Sequence, residues 1–267
     1  MNTQEQARKA ERLRQLHHGP EMLVLPNAWD VASARIVEEL GFPAVATTSA
    51  GIAFSLGYPD GEKISRDEMF DVVGRIARAV NIPVSADAEA GYGSTPKEMA
   101  ETARALVEAG GVGLNLEDIA ATGPEPLVEL SLQTEKIATL REASAAAGVP
   151  LVINARTDVY LKAVGPAETR FERTVERLRA FRKAGADSLF APGLKDAETI
   201  GKLVRAVDGP VNILLLQGGP SLAELKRLGV ARVSVGSGLM RTCSSAYPIS
   251  SARSHRRLIR RGLPPVS

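Results

Sequence analysis

Ile82-Pro83-Val84-Ser85-Ala86-Asp87-Ala88-Glu89-Ala90-Gly91-Tyr92-Gly93 decides how this chain is read. The first half is short, apolar and rich in β-branched residues, which is the pattern of a buried strand. The second half sets two carboxylates one residue apart, then turns on Gly-Tyr-Gly. Side chains alternate along a strand, so Ser85, Asp87 and Glu89 share a face. Two acids leaving a buried strand together are costly unless a cation sits between them. A hard divalent ion is the economical candidate. For one strand alone, a solvated strand exit serves equally well, and the neighbouring stretches have to decide.

Outward from this stretch, one unit repeats: apolar strand, polar loop, amphipathic helix, glycine, next strand. The glycine junctions read Ala109-Gly110-Gly111-Val112 and Ala147-Gly148-Val149-Pro150, among others. Glycine just past a helix takes a left-handed conformation that other residues resist. Helix starts are marked by Ser65-Arg66-Asp67-Glu68, Thr95-Pro96-Lys97-Glu98 and Ser221-Leu222-Ala223-Glu224, which fit the capping box. Eight strands are expected, over residues 22–26, 44–47, 82–87, 112–117, 151–156, 188–191, 211–216 and 232–236. Alternating strands and helices imply a parallel sheet closed into a (β/α)8 barrel of the TIM type. Residues 1–240 form this single domain, led by an N-terminal helix over residues 1–18, and 241–267 form a basic tail. An open doubly wound sheet is the runner-up. It usually carries a glycine-rich turn after its first strand, whereas this chain has Asn27-Ala28-Trp29-Asp30 there.

Barrel active sites lie at the C-terminal strand ends. Here those ends gather Asp87 and Glu89, then Asn115, Glu117 and Asp118, then Asn154, Arg156 and Asp158, with Asp60 in the loop after the second strand. Alternation turns Asp87, Glu89, Asn115, Glu117, Asn154 and Arg156 inward. Asp60, Asp87, Glu89 and Glu117 make an all-oxygen site for Mg²⁺ or Mn²⁺ that keeps several waters. Arg156 is a planar donor fork suited to a carboxylate or phosphonate. The competing reading is a self-satisfied ring in which Arg156 neutralises Glu117 and Glu89. Tyr92 is either an acid–base group or a capping aromatic. Gly236-Ser237-Gly238 is either a phosphate loop or a tight turn.

Composition narrows the class. The 267 residues carry a formal charge of +2, which points to neither nucleic acid nor a membrane surface. No apolar run approaches the ~20 residues of a membrane span. The single cysteine, Cys243, precludes an internal disulfide and suits a reducing, cytoplasmic setting. The three histidines, His17, His18 and His255, all lie near the ends, so histidine chemistry is not expected.

The chain resembles the isocitrate lyase/phosphoenolpyruvate mutase superfamily from about Leu25 to Met240. The likeness is carried by Thr47-Thr48-Ser49-Ala50-Gly51, Leu56-Gly57-Tyr58-Pro59-Asp60, the Asp87–Gly93 segment, Leu116-Glu117-Asp118 and Asn154-Ala155-Arg156-Thr157-Asp158. The resemblance implies Mg²⁺-dependent cleavage or rearrangement next to a 2-oxo or 2-hydroxy carboxylate, through a metal-bound enolate. By matching position, Asp87 would be the nearest metal ligand, with Asp60, Glu89 and Glu117 acting mainly through water. Arg156 would hold a substrate carboxylate, Thr48, Ser49, Ala50 and Gly91 would line the oxo-acid end, and Tyr92 and Glu117 would join Arg156 in catalysis. A homo-oligomer, dimer or tetramer, is implied as well.

Two departures refine this. The lyase branch carries a Lys-(Lys/Arg)-Cys-Gly-His loop after Leu-Glu-Asp. Residues 119–129 here hold no Cys, His or Lys, and they also lack the Lys and Asn of the phosphonopyruvate branch. What remains suits decarboxylation of an oxaloacetate-like 2-oxo diacid, with retro-aldol cleavage close behind. A P–C bond enzyme and a non-catalytic oxo-acid-binding barrel are the alternatives. The loop is expected to be a mobile lid without a proton donor. The second departure follows Met240, where residues 241–248 are expected to interrupt the last helix and Arg253, Arg256, Arg257, Arg260 and Arg261 follow.

Overall fold

The computed structural model describes residues 2–120 and 125–246. The chain opens with α1 (Thr3–Leu16), β1 (Leu23–Leu25), β2 (Asn27–Ala28) and α2 (Val31–Glu39), then β3 (Val45–Thr47), α3 (Ser49–Ser55) and α4 (Arg66–Ala79). It continues through β4 (Val84–Asp87), α5 (Pro96–Ala109), β5 (Gly113–Glu117), α6 (Leu130–Ala146), β6 (Val152–Arg156) and α7 (Arg170–Lys183). The last quarter holds β7 (Ser188–Phe190), α8 (Ala197–Ala206), β8 (Val211–Leu214), α9 (Leu222–Arg227), β9 (Arg232–Ser234) and α10 (Gly238–Ala246). Among the described residues every strand pair is parallel, in the order β1-β9-β8-β7-β6-β5-β4-β3-β2.

The nine segments are the eight expected strands with the first one divided. β1 pairs with β9 and β2 with β3, so the two sheet ends meet in one stretch of chain and the barrel closes. The division falls at Pro26, which has no N–H to give to a ladder, while its carbonyl accepts from Ala46 N at 2.9 Å. Asn27 bridges this seam. Its Nδ2 donates to Thr47 O at 2.7 Å, and its Oδ1 accepts from Val235 N at 3.0 Å and Gly236 N at 2.9 Å. The sequence placed Asn27 in a loop beyond a 22–26 strand, and the structure returns it to the sheet. The same bond uses the Gly236 N–H, and Gly238 N donates to Val235 O at 3.1 Å, so two of the three N–H groups of Gly236-Ser237-Gly238 are taken within the turn.

Local signals were followed closely. Ser65/Glu68 and Thr95/Glu98 form reciprocal capping boxes, whereas at Ser221 only the forward bond from Glu224 N is made. Gly110 closes α5 at φ 90°, the left-handed conformation expected of it. The leading helix plugs the N-terminal face of the barrel. Leu13 is fully buried, Gln6 Nε2 donates to Val107 O and Gly111 O, and Arg14 reaches Asp187 and Pro150 O. His17, at its end, is buried and pushed down to about 3, first by burial and then by Arg232, so the ring is neutral.

Aliphatic side chains such as Val84, Leu114, Leu116, Ile153 and Leu189 make the core of the barrel and its helical shell. The barrel interior is less ordinary. Such interiors are filled mainly by branched apolar residues, yet the register here lines up Asp87 with Asn115, Asn115 with Asn154, Asn154 with Ser188, and Asn212 with Arg232.

At the far end α10 runs unbroken to Ala246, so the interruption expected from Arg241 onward does not occur there. The remainder of the basic tail, 247–267, lies outside the described residues. No helix among the described residues is long and apolar enough to cross a membrane.

Candidate active site

The C-terminal strand ends open into a cavity of about 770 Å³. Asp60, Asp87, Glu89, Glu117 and Arg156 line it, and Thr48, Ser49 and Ala50 line it from the start of α3. Eight of the residues singled out from sequence therefore share one space. Gly91 and Tyr92 do not line it.

Asp87 is the most firmly placed of the acids. Ser49 donates to its Oδ2 twice, from the backbone N at 3.0 Å and from Oγ at 2.7 Å. Asn115 Nδ2 donates to Asp87 Oδ1 at 2.9 Å, and Asn115 Oδ1 accepts in turn from Asn154 Nδ2 at 3.1 Å. The Asp87 N–H donates to Thr47 Oγ1 at 2.9 Å. Three strands and one helix start thus fix one carboxylate, with Oδ2 accepting two bonds and Oδ1 keeping a lone pair for a ligand.

Glu89 has left the strand. Its φ is 48°, and it is 2% exposed. It accepts from Glu62 N and, at 3.2 Å, from Tyr92 Oη. Burial and then the Asp87 charge push its carboxyl up to about 7. Tyr92 stands behind Glu89, its ring edge-on to Phe70 at 6.0 Å. Burial and the Glu89 charge hold its phenol above the usual range, so it stays protonated and donating. Gly91 serves the turn: its φ is 99°, and a Cβ there would come within 2.6 Å of Met99 Cε. Lys136, 2% exposed, braces the turn from behind by donating to Ala90 O at 2.8 Å. Gly91, expected in substrate binding, and Tyr92, expected in catalysis, thus shape the Glu89 turn, and Tyr92 reaches the cavity wall through its bond to Glu89.

Arg156 is held in a fork. Nε and Nη2 donate to the two Asp158 oxygens at 2.6 and 2.9 Å, and Nη2 lies 2.7 Å from Glu117 Oε2. Burial opposes its charge, but Glu117 and Asp158 outweigh burial and hold it above its ordinary value. Burial in turn raises Glu117 against the pull of Arg156. The self-neutralising ring read from the sequence is present, with Asp158 in the place expected of Glu89. Asp118 faces away from the cavity, fully buried, and pairs with Arg177 at 2.6 Å while accepting from Asp158 N at 2.9 Å.

The loop expected to be a lid is pinned at its base. Ile119 and Leu127 form an antiparallel bridge, Val128 N donates to Asp118 O at 2.8 Å, and Leu127 is buried with Val159 and Val164. Residues 121–124 lie outside the described residues.

Among the described residues no three Asp, Glu, His or Cys side chains converge as direct ligands of one ion. The donor set fits a hard ion held by Asp87 directly and by the other carboxylates through water, as expected for a cation that dehydrates reluctantly.

Sequence reasoning passed over Glu62 and Arg232. Glu62 lines the cavity and accepts from Tyr92 N at 2.9 Å, locking the Asp60 loop to the Glu89 turn. Its left-handed φ of 52° left no composition signal to find. Arg232 also lines the cavity, from the opposite wall, at 2% exposure. Burial pushes it down to about 10, with Asp87 pulling it back up, so it is cationic at neutral pH.

Comparison with known proteins agrees with this geometry. A family model described as phosphoenolpyruvate phosphomutase matches residues 13–253. Among solved structures, a candidate lyase/mutase from Burkholderia cenocepacia J2315 is 43% identical with a TM-score of 0.87, covering 95% of this chain and 90% of that one. A 2,3-dimethylmalate lyase structure is 29% identical with a TM-score of 0.83, covering 97% and 90%. Oxaloacetate decarboxylase 2 of Pseudomonas putida (strain W619) is 32% identical over 213 residues, which are 78% of this chain and 68% of that protein.

Proposed function

The chain belongs to the phosphoenolpyruvate phosphomutase family, within a superfamily of lyases and mutases, and from that premise we propose that it is a divalent-metal-dependent C–C lyase acting on a small 2-oxo or 2-hydroxy diacid, with decarboxylation of an oxaloacetate-like substrate its first activity. The observation that carries the reading is the cavity wall on which Asp87, oriented by Ser49 and Asn115, meets Glu89 and Glu117. Mg²⁺ held there would supply a Lewis acid that draws electron density from the bond α to the oxo group.

The protein's own share follows from the contacts. Ser49 and Asn115 keep Asp87 aimed, because each holds one of its carboxylate oxygens in a hydrogen bond. Arg156 uses Nε and Nη2 on Asp158 and Glu117, so its Nη1 group is the one left for a substrate carboxylate. Asp158 and Glu117 thereby fix the plane in which that group is presented. Ile119 and Ala120 cover one side of the cavity, and excluding water there strengthens every electrostatic contact within. No Cys, His or Lys occupies residues 119–129, so that loop brings none of these proton donors to the reaction.

The resemblance to both an oxaloacetate decarboxylase and a 2,3-dimethylmalate lyase sets the panel that tests this. The purified chain is offered oxaloacetate, substituted malates and phosphonopyruvate with Mg²⁺. Pyruvate and CO2 from oxaloacetate, above the rate with Mg²⁺ and no protein, is the expected result. Inorganic phosphate from phosphonopyruvate, with no C–C cleavage, would overturn the reading.

A further inference from the structure

The two cavity arginines differ in one respect. Arg156 is bonded to Asp158 and Glu117. Arg232 forms no ion pair among the described residues, and its Nε and Nη1 have no hydrogen-bond partner at all. A buried guanidinium with idle donors is among the least favourable arrangements a protein interior can hold, and it calls for an anion. Beneath it is His17, which is neutral and supplies no charge. Beside it, Asn212 and Ser234 satisfy each other at 3.3 Å. Further round the interior, Asn154 Oδ1 and Ser188 Oγ are also unpartnered. The barrel floor is thus polar, cationic and open to the same cavity as Asp87.

We propose that Arg232 is an anion anchor in the cavity floor and takes one carboxylate of a two-acid ligand whose oxo or hydroxy end lies at the Asp87 wall. The proposal rests on the diacid reading of this site. It adds a second recognition point, which explains how a cavity lined by several acids could still prefer a dianion. The guanidinium is planar and cationic and lacks an acid partner among the described residues, which suits a carboxylate.

Lactate and malate separate the possibilities, since they share a 2-hydroxy acid head and differ by the second carboxylate. Calorimetry with saturating Mg²⁺ should show Arg232→Met weakening malate by about thirtyfold or more and lactate by less than about threefold. Arg232→Lys, which keeps the charge and loses the fork, should fall between wild type and Arg232→Met for malate. Equal losses for both acids, or no loss for malate, overturn the proposal. Because Arg232→Met could fail to fold, wild-type crystals soaked in bromide give an independent reading by anomalous diffraction. A bromide peak at the Arg232 guanidinium that malate displaces supports the anchor. A peak that malate leaves in place, an adventitious ion only, overturns it, as does the lack of any peak. None of these measurements needs turnover. Malate binding through Arg232 in a chain that cleaves no diacid would sink the lyase reading and leave the anchor standing. Cleavage with malate and lactate equally affected would do the reverse.

Discussion

The two walls of the cavity treat charge in opposite ways. On the β4–β6 wall every charged group has partners within the fold: Asp87 with Ser49 and Asn115, Glu89 with Glu62 and Tyr92, and Arg156 with Asp158 and Glu117. On the β8–β9 wall a buried arginine stands without an acid. A wall whose charges are already held in place can present them to a metal ion and a reacting group with little reorganisation. A wall whose charge is unmet is poised for a ligand that brings its own anion. Preorganised chemistry on one side and ligand recognition on the other is the division that the following changes should break or sharpen.

Asp87→Ala should have the largest effect, at least about a thousandfold in kcat, because it removes the cavity acid that Ser49 and Asn115 orient through three hydrogen bonds. The fold should survive, since the change also relieves repulsion with Glu89. Circular dichroism together with Mg²⁺ calorimetry checks both halves. Unchanged Mg²⁺ affinity would remove the metal from this wall. Arg156→Lys keeps the charge but breaks the fork to Asp158, so about a hundredfold loss in kcat/KM is expected with metal affinity little altered.

Away from the cavity, Asn27→Ala tests the seam. It deletes the acceptor for Val235 and Gly236 and the donor to Thr47, for about 2–4 kcal/mol of stability. Chemical denaturation would show it, and a loss under about 0.5 kcal/mol would mean that the barrel closes without that bridge.

The pH dependence of stability has a definite sign. Folding raises the Glu89 carboxyl from 4.5 to about 7, so between those values the folded chain binds more protons than the unfolded one. Metal-free stability should therefore fall as pH rises from about 5 to 7, by a few degrees in Tm. Mg²⁺ should offset the fall by supplying the missing positive charge. Thermal melts at both pH values, with EDTA and with Mg²⁺, decide this, and a metal-free Tm that rises over that interval contradicts it. The smallest effect expected is that of Tyr92→Phe, under about threefold in kcat, since the hydroxyl acts through one hydrogen bond of 3.2 Å to Glu89.

The contrast between the walls also explains what could be read from the sequence. The barrel was legible because each strand–helix unit carries its own punctuation, in caps such as Ser65 and Thr95 and glycines such as Gly110. The acid wall was legible because alternation along β4, β5 and β6 is a local rule that turns Asp87, Asn115 and Asn154 the same way. Local rules failed at three places. Pro26 hid the continuation of the first strand, since a proline without an N–H reads as an end whether or not the chain resumes pairing at Asn27. Tyr92 follows Glu89 closely in sequence, yet left-handed φ values at both residues break the strand alternation, and its ring packs against Phe70 with its hydroxyl on Glu89. Arg232 looked like one more basic residue in Val230-Ala231-Arg232-Val233. Its importance lies in what does not face it, which depends on strands far away in sequence.

The central claim is that the β4–β6 wall holds a divalent ion used for C–C cleavage of a diacid, and oxaloacetate turnover by wild type and Asp87→Ala tests it most directly. Pyruvate release is followed with Mg²⁺, with EDTA, and with Mg²⁺ in the absence of protein. Release above the protein-free rate in wild type, abolished by EDTA and by Asp87→Ala, is the predicted result. Wild type and Asp87→Ala both running at the protein-free rate, or both running equally well above it in EDTA, would contradict it.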